Sequence, residues 1–437
     1  MRKKIERNIE NTELFTRQLL TWIKQYNQFI LLNSNVNKTE KNLYHSYDVI
    51  AACQSVETMK APPNNCFNAL KEFSLKFSDW KFGYMAYDLK NEIEKLDSNN
   101  FDGLHFPLIH FFVPKYVFCI KDKLLIIEYL PQFSNEDEIE TVYSEICQTD
   151  CHEKTVRTSY TINQRVKKKE YTDTVKKIKQ HIIKGDIYEM NYCMEFFAEN
   201  VKIIPEELYL KLNQISPSPF SCFLKIENQY LISSSPERFL AKQNDKIISQ
   251  PIKGTIRRGI DPLEDERLKK ILEQNEKERA ENIMIVDLVR NDLSKTAQIG
   301  SVQVEELCRI YSFQQVHQMI STITSHYNAN KFDIVDVIRN AFPMGSMTGA
   351  PKIKAMELIE KYEKTKRGLY SGAVGYITPT HDFDFNVVIR SFQYNSTINY
   401  LSYMVGSAIT FQSIPDDEYE ECLLKAKSIK LLLEDYK

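Results

Sequence analysis

The stretch QPIKGTIRRG, residues 250–259, sets Lys253 between a Pro-Ile step and a Gly-Thr turn. An amine there can act as a nucleophile once it loses its proton. Desolvation in a closed cleft would depress its pKa, provided negative charge does not oppose the loss. Sixteen residues upstream, Glu237 in SSSPERFL could share that pocket as an acid or base. A buried Lys-Glu pair that only holds two strands together is the plainer alternative. Two further carboxylate pairs stand out. Glu278 and Glu281 in NEKERAENIMIVDLVRNDL, and Glu418 and Glu421 in PDDEYEECLLKAK, are each three apart on a predicted helix and so share a face. Hard oxygens on rigid helices suit Mg²⁺, although each pair alone also reads as a solvated face. In FPMGSMTGAPKIKAMELIEKY, Gly345 and Gly349 frame a turn, and Pro351 fits the first helical position. Such a turn offers free N–H groups to an anion. It is not a P-loop, because three residues rather than four separate the glycines and no Gly-Lys-Ser/Thr follows. His317, in the apolar QVHQMIST, reads alone as a satisfied core residue. Arg390 in VVIRSF could grip a carboxylate or make a structural ion pair.

Elements that must position these groups follow from periodicity. An amphipathic helix is expected around NIENTELFTRQLLTWIKQY, then strands at KFGYMAYDL and YVFCIKDKLLIIEYL, the latter a hairpin about Lys121-Asp122. Tyr171, Val175, Ile178 and Ile182 mark a helix that should stop at Gly185. Strands are expected at FSCFLKIENQYLISSS, DKIISQPIKG, GLYSGAVGYITP, DFNVVIRSFQYN and INYLSYMVGSAITFQ, with helices over 263–289, 351–363 and 416–434. Long antiparallel strands mixed with helices give an α+β class. A first region, 1–150, and a second, 165–437, are joined by a polar, charged stretch. Trp22 and Trp80 serve as core or interface anchors of the first region. Ten of the twelve glycines lie after residue 184, which marks the second region as the working part.

Composition excludes several classes. A formal net charge of −2 over 437 residues creates no field favouring nucleic acid or anionic membrane. No apolar run approaches the roughly 20 residues that span a bilayer, and the basic start lacks the apolar core of a secretory signal. Nine scattered cysteines suit a reducing, cytoplasmic setting better than a disulfide scaffold. CQTDCH, 147–152, invites a metal, but no second Cys or His pair follows at finger spacing.

Taken together and in order, GDIYEMN, SSSPERFL, PIKGTIRRG, ERAENIMIVDLVRNDL, GSMTGAPKIKAMELI, GLYSGAVGYI, VVIRSF and PDDEYEECLLKAK resemble the chorismate-utilising enzyme family over residues 170–437. LLNS (31–34) and FGYMAYDL (82–89) are similar to N-terminal elements of its glutamine-linked members, where relatives hold tryptophan, although Asn33 departs from the acidic residue of feedback-regulated ones. The resemblance implies a large two-layer antiparallel β-sandwich with helices packed outside and the site in a cleft. It implies Mg²⁺ at Glu281 and Glu421, with Glu278 and Glu418 nearby through water. Arg390, Tyr376 and backbone around Gly406 and Ser407 would hold the enolpyruvyl carboxylate. Lys425 would add a cation, Ser346, Gly254 and Thr255 would line the substrate, and His317 and Glu237 would match the family's active-site histidine and acid/base carboxylate. Isochorismate and salicylate synthases use a lysine base where this chain has Glu189, and anthranilate synthases typically carry alanine at Lys253. The resemblance therefore favours the branch that aminates C4, through attack of Lys253 on C2, with C2 amination to anthranilate as the alternative. Ammonia would come from a separate glutamine amidotransferase, since no Gly-x-Cys-x-Gly turn is present. Ala408, in place of an expected glycine, and Glu189, in place of a more usual glutamine, are departures from the family pattern.

Overall fold

In the structure, a computed structural model, residues 1–35, 44–62, 64–151 and 160–434 are described. Tight turns between strand-forming runs build the sheet. Ile109–Lys121 and Leu124–Tyr129 pair as the expected hairpin, its turn set one residue later by Asp122 and Lys123, both at positive φ. Phe220–Ile226 and Gln229–Ser235 form a second hairpin, with Glu227 left-handed at the turn.

Twenty strands join one hydrogen-bonded network among the described residues, and every pairing between them is antiparallel. With twelve α-helices around them, this is the expected α+β class. The N-terminal region does not stand apart from the rest. Gln28–Asn33 pairs with Phe220–Ile226, and Lys81–Met85 pairs with Ala373–Ile377. One hydrophobic core runs from Phe15 and Trp22 through Tyr192 and Phe223 to Tyr403, so burial ties the two regions into a common interior. Trp22 and Trp80 are buried, each donating its indole N–H to a glutamate, Glu145 and Glu128 respectively.

Three local departures from the sequence reading shape the site. The single helix expected over 263–289 is two, Pro262–Gln274 and Glu276–Ser294. Between them Asn275 leaves helical geometry and its side chain accepts the Glu278 N–H at 3.1 Å, the bond that favours Asn as an N-cap. The strand expected over DFNVVIRSFQYN divides into Phe383–Val387 and Ser391–Asn395, because Arg390 sits at φ +48°. Pro351 caps the helix Lys352–Tyr362 rather than opening it, while Gly345–Thr348 form a short helical turn of their own. The helix Lys168–Ile183 stops before Gly185, which is at φ +81°, and Pro415–Glu434 closes the described chain.

Candidate active site

Glu189 begins the strand Glu189–Ala198, and the glycine turn fixes its backbone. Ala350 pairs with Glu189 and Gly349 with Met190, Gly349 lying at φ +142°. A Cβ at Gly349 would come within 2.1 Å of the Glu189 carbonyl oxygen, so only glycine allows this approach. The Glu189 side chain is fully buried, and its Oε1 accepts a 2.7 Å hydrogen bond from Lys253 Nζ. Its other oxygen, Oε2, is buried without a donor among the described residues. Lys253 therefore does have a carboxylate partner, but one 64 residues away in sequence, and its direct partner is not Glu237.

Lys253 lies on the strand Ile252–Arg257, whose register against Val316–His326 shifts between Ile252 and Thr255. Gly254 occupies that irregularity at φ +93°, and a Cβ there would meet the Glu278 side chain and Leu272 at 3.2 Å. The glycine thus lets the lysine's strand lie against the two helices beyond it. Asn282, on the helix carrying Glu278 and Glu281, donates to the Lys253 carbonyl at 3.5 Å and the Met319 carbonyl at 3.3 Å. Desolvation does press on the Lys253 amine, but Glu189, Glu281 and Glu237 outweigh it, and its pKa is raised. The proviso attached to the expected depression decides the outcome, because negative charge from these three carboxylates opposes loss of the proton.

Glu237 is buried and accepts a 2.5 Å hydrogen bond from Ser346 Oγ, while the Ser346 carbonyl accepts from Asn191 at 2.7 Å. Burial pushes its carboxyl up to about 7, against the opposing pull of Ser346, Lys253 and Arg390. A group so placed holds a proton near neutrality and can give it up. Arg390 is half-buried, and its guanidinium forms no hydrogen bond or salt bridge among the described residues. Desolvation lowers its pKa while Glu237 raises it. A desolvated guanidinium presents the planar fork that grips a carboxylate in bidentate fashion.

The carboxylate pairs converge through space. Burial pushes Glu281 up to about 7, with Glu189 and Glu278 adding to the rise. Glu278 is raised by burial and by Glu421 on the last helix. Ammonium groups stand against them, Lys277 Nζ 3.9 Å from Glu281 and Lys425 Nζ 2.6 Å from Glu421. Lys425 and the desolvation of Glu421 oppose each other, and the lysine prevails, lowering the Glu421 pKa. Among the described residues no three His, Cys, Asp or Glu side chains close into a metal cage. Mg²⁺ does not need one, being held by one or two carboxylates plus waters and substrate oxygens. Glu281 and Glu421, each acting electrostatically on or with Glu278 and each beside an ammonium group, fit such an ion.

Several expected residues lie elsewhere. His317 Nε2 lies 3.0 Å from Asp265 Oδ1 and its Nδ1 is 2.9 Å from Ser312 Oγ. Both ring nitrogens are engaged, and Asp265 in turn accepts from Arg258 and from the Gly259 N–H. The second glycine of QPIKGTIRRG therefore anchors a helix start: a Cβ on Gly259 would lie 2.2 Å from the Asp265 nitrogen. Tyr376 packs against Tyr47, Trp80 and Phe82 and lines a different hollow, with Asn33, His45 and Asp384. The Ser407 hydroxyl is buried against Tyr171 at 2.8 Å, and Thr255 is exposed. Glu418 is buried and acts electrostatically on Tyr171. Lys425 is exposed and also donates to the Gly406 carbonyl at 3.0 Å. Gly406 does face a crowded neighbour, since a Cβ would lie 2.5 Å from Cys193 Sγ. Beside that cysteine lies a tyrosine the sequence reading passed over: the Cys193 thiol points at the Tyr370 hydroxyl from 4.0 Å. GLYSGAVGYI holds two tyrosines: Tyr370 lies in the turn before the strand Ala373–Ile377, and Tyr376 lies on that strand. His152, of the cysteine-rich CQTDCH, lies outside the described residues. No helix among the described residues is long and apolar enough to cross a membrane.

With this geometry in place, comparisons with known proteins are informative. The model of a family described as chorismate binding enzyme matches residues 16–431. Aminodeoxychorismate synthase component 1 of Bacillus subtilis (strain 168) is 32% identical over 368 residues, covering 82% of this chain and 77% of that protein. Anthranilate synthase component 1 of Aquifex aeolicus (strain VF5) is also 32% identical, over 374 residues, covering 80% and 74% respectively. The crystal structure of anthranilate synthase component I from Streptococcus pneumoniae TIGR4 shares the fold with a TM-score of 0.76, at 24% identity over 90% of this chain and 95% of that one.

Proposed function

The chain belongs to the chorismate binding enzyme family, and from that premise we propose that it is component I of an aminodeoxychorismate synthase. It would convert chorismate and ammonia to 4-amino-4-deoxychorismate on the way to para-aminobenzoate and folate. The observation that carries this reading is the Lys253 amine, its side chain 10% exposed, bridged to Glu189 and within electrostatic reach of Glu281 and Glu237. An amine there occupies the volume ammonia would need for direct attack at C2, and itself becomes the first nucleophile.

The steps follow from groups already in place. Neutral Lys253 Nζ bonds to C2, the ring double bonds shift, and the C4–O bond breaks. Glu237, raised to about 7, supplies the proton with which that oxygen leaves as water. Ammonia then bonds to C4, the C2–N bond breaks with its electron pair returning to the lysine, and Glu237 recovers a proton from the new ammonium. Net, one ammonia enters and one water leaves. Arg390 would grip a substrate carboxylate in bidentate fashion, and Ser346 would keep the Glu237 carboxyl oriented. Mg²⁺, held by Glu281 and Glu421, would supply charge neutralisation for the ring carboxylate. Ammonia would come from a separate glutamine amidotransferase subunit, with free ammonium as an inefficient substitute.

The second reading, anthranilate synthase component I, is favoured by the equal identity to a relative of that name. Product identity separates the two. With chorismate, Mg²⁺ and ammonium, a product that becomes para-aminobenzoate only after an aminodeoxychorismate lyase is added supports C4 amination. Direct release of fluorescent anthranilate overturns it.

A further inference from the structure

The reaction just described begins from a neutral amine, yet Lys253 sits among carboxylates that hold its proton on. Something must take that proton where the Lys253 side chain is only 10% exposed. Three carboxylates act on Lys253 electrostatically, Glu189, Glu281 and Glu237, but among the described residues only Glu189 is hydrogen-bonded to it, at 2.7 Å. Proton transfer needs that reach, about 2.6–3.2 Å between heavy atoms. Glu237 is already committed to Ser346, and Glu281 lies beside Lys277.

Glu189 is also poised for the task. It is fully buried, and among the described residues Oε2 has no hydrogen-bond donor. The strand carrying Glu189 is held by its pairing to Ala350 and by the close approach of Gly349, so the carboxylate cannot retreat from the lysine.

We propose that Glu189 is the proton acceptor that converts the Lys253 ammonium into the attacking amine, and returns the proton when the lysine is expelled. The inference rests on Lys253 being the nucleophile. The transfer leaves a neutral amine and a neutral carboxylic acid. The amine bonds to C2, and the C4 hydroxyl leaves as water with the Glu237 proton. After ammonia displaces the lysine from the ring, the Glu189 acid reprotonates the free amine, and the pair is restored.

Rapid mixing of enzyme, Mg²⁺ and chorismate without ammonia, followed by intact-protein mass spectrometry, reads the first step as an adduct of chorismate less water. Wild type should form it on Lys253. Glu189→Gln keeps the shape and the hydrogen bond to Lys253 but removes the base. It should form the adduct slower by about 10²- to 10⁴-fold, with the chorismate Kd changed by only about threefold or less, within the context-dependent spread of a neutral hydrogen bond. Should that variant not fold, Glu189→Asp against Glu189→Asn makes the same contrast at matched size, the carboxylate faster by about tenfold or more. Equal adduct rates for carboxylate and amide overturn the role of Glu189 while leaving the lysine mechanism standing. Full turnover by Lys253→Ala overturns the lysine mechanism itself, and the role of Glu189 with it.

Discussion

Replacing Arg390 by methionine separates a ligand-gripping guanidinium from a structural one, because the two roles predict opposite effects on stability. The guanidinium is desolvated, unpaired among the described residues, and attached to a residue at φ +48°. Holding a non-glycine residue there costs about 1 kcal/mol or more, and methionine bears the same cost. Removing the charge deletes a desolvation penalty that no hydrogen bond and only the electrostatic pull of Glu237 offset among the described residues. The ligand-free variant should therefore melt no lower than wild type. Substrate binding responds in the other direction. Truncating one partner of a buried, hydrogen-bonded charge pair costs about 2–5 kcal/mol, or about 30- to 5,000-fold in kcat/KM at 1.36 kcal/mol per decade. The upper part of that range is expected, since the wild-type guanidinium is desolvated before chorismate arrives. Glu237 gives a second signature. Arg390 helps hold its carboxyl down, so the alkaline limb of the pH–rate profile should move upward in the variant. Differential scanning fluorimetry and steady-state kinetics with chorismate measure both effects. A variant that melts several degrees lower with unchanged kcat/KM would refute the reasoning and make Arg390 a structural residue.

Three further outcomes follow from the geometry. Glu237, raised from 4.5 to about 7, keeps its proton in the folded protein where the unfolded chain has lost it. Its stabilising contribution is complete below about pH 4.5 and is lost as pH rises to about 7. Glu237→Gln should flatten that decline in urea unfolding and lower kcat by about 10²- to 10⁴-fold. Gly254→Ala places a Cβ at φ +93° within 3.2 Å of Glu278; a stability loss of about 1–2 kcal/mol is expected from the backbone alone, and an unchanged denaturation midpoint would contradict it. Chelation with EDTA should abolish turnover. Glu281→Gln should raise the Mg²⁺ requirement at least as much as the roughly 10- to 100-fold that loss of an outer-shell partner costs, read by Mg²⁺ titration of activity.

Local signals in the sequence located most elements, and non-local packing decided what they missed. Glycine at 185 and the apolar spacing of Tyr171, Val175 and Ile178 mark a helix that the structure places at Lys168–Ile183, because amphipathic period and cap are properties of neighbours in sequence. Asn275, three residues before Glu278, carried a cap signal inside what read as one helix. The pairing of Lys253 with Glu189 could not be read from spacing, since a strand register set by Gly349 brings them together. For the same reason the sequence left the direction of the lysine's pKa conditional on nearby charge: the three carboxylates that decide it come from three separate parts of the chain. His317 shows the reverse. It read alone as a satisfied core histidine, and the structure engages both of its nitrogens, with Asp265 and Ser312. Tyr376 and Tyr370 lie six residues apart in one motif, and the fold sends them to different neighbours, Tyr376 to the hollow beside Asn33 and Asp384 and Tyr370 to Cys193.

The most direct test is the product made by wild type and Lys253→Ala from chorismate, Mg²⁺ and ammonium, with aminodeoxychorismate lyase added after a delay. Wild type should yield para-aminobenzoate only after the lyase enters, and the alanine variant should lose C4 amination by about 10²-fold or more. Fluorescent anthranilate from wild type, or undiminished C4 amination by the variant, would contradict the account.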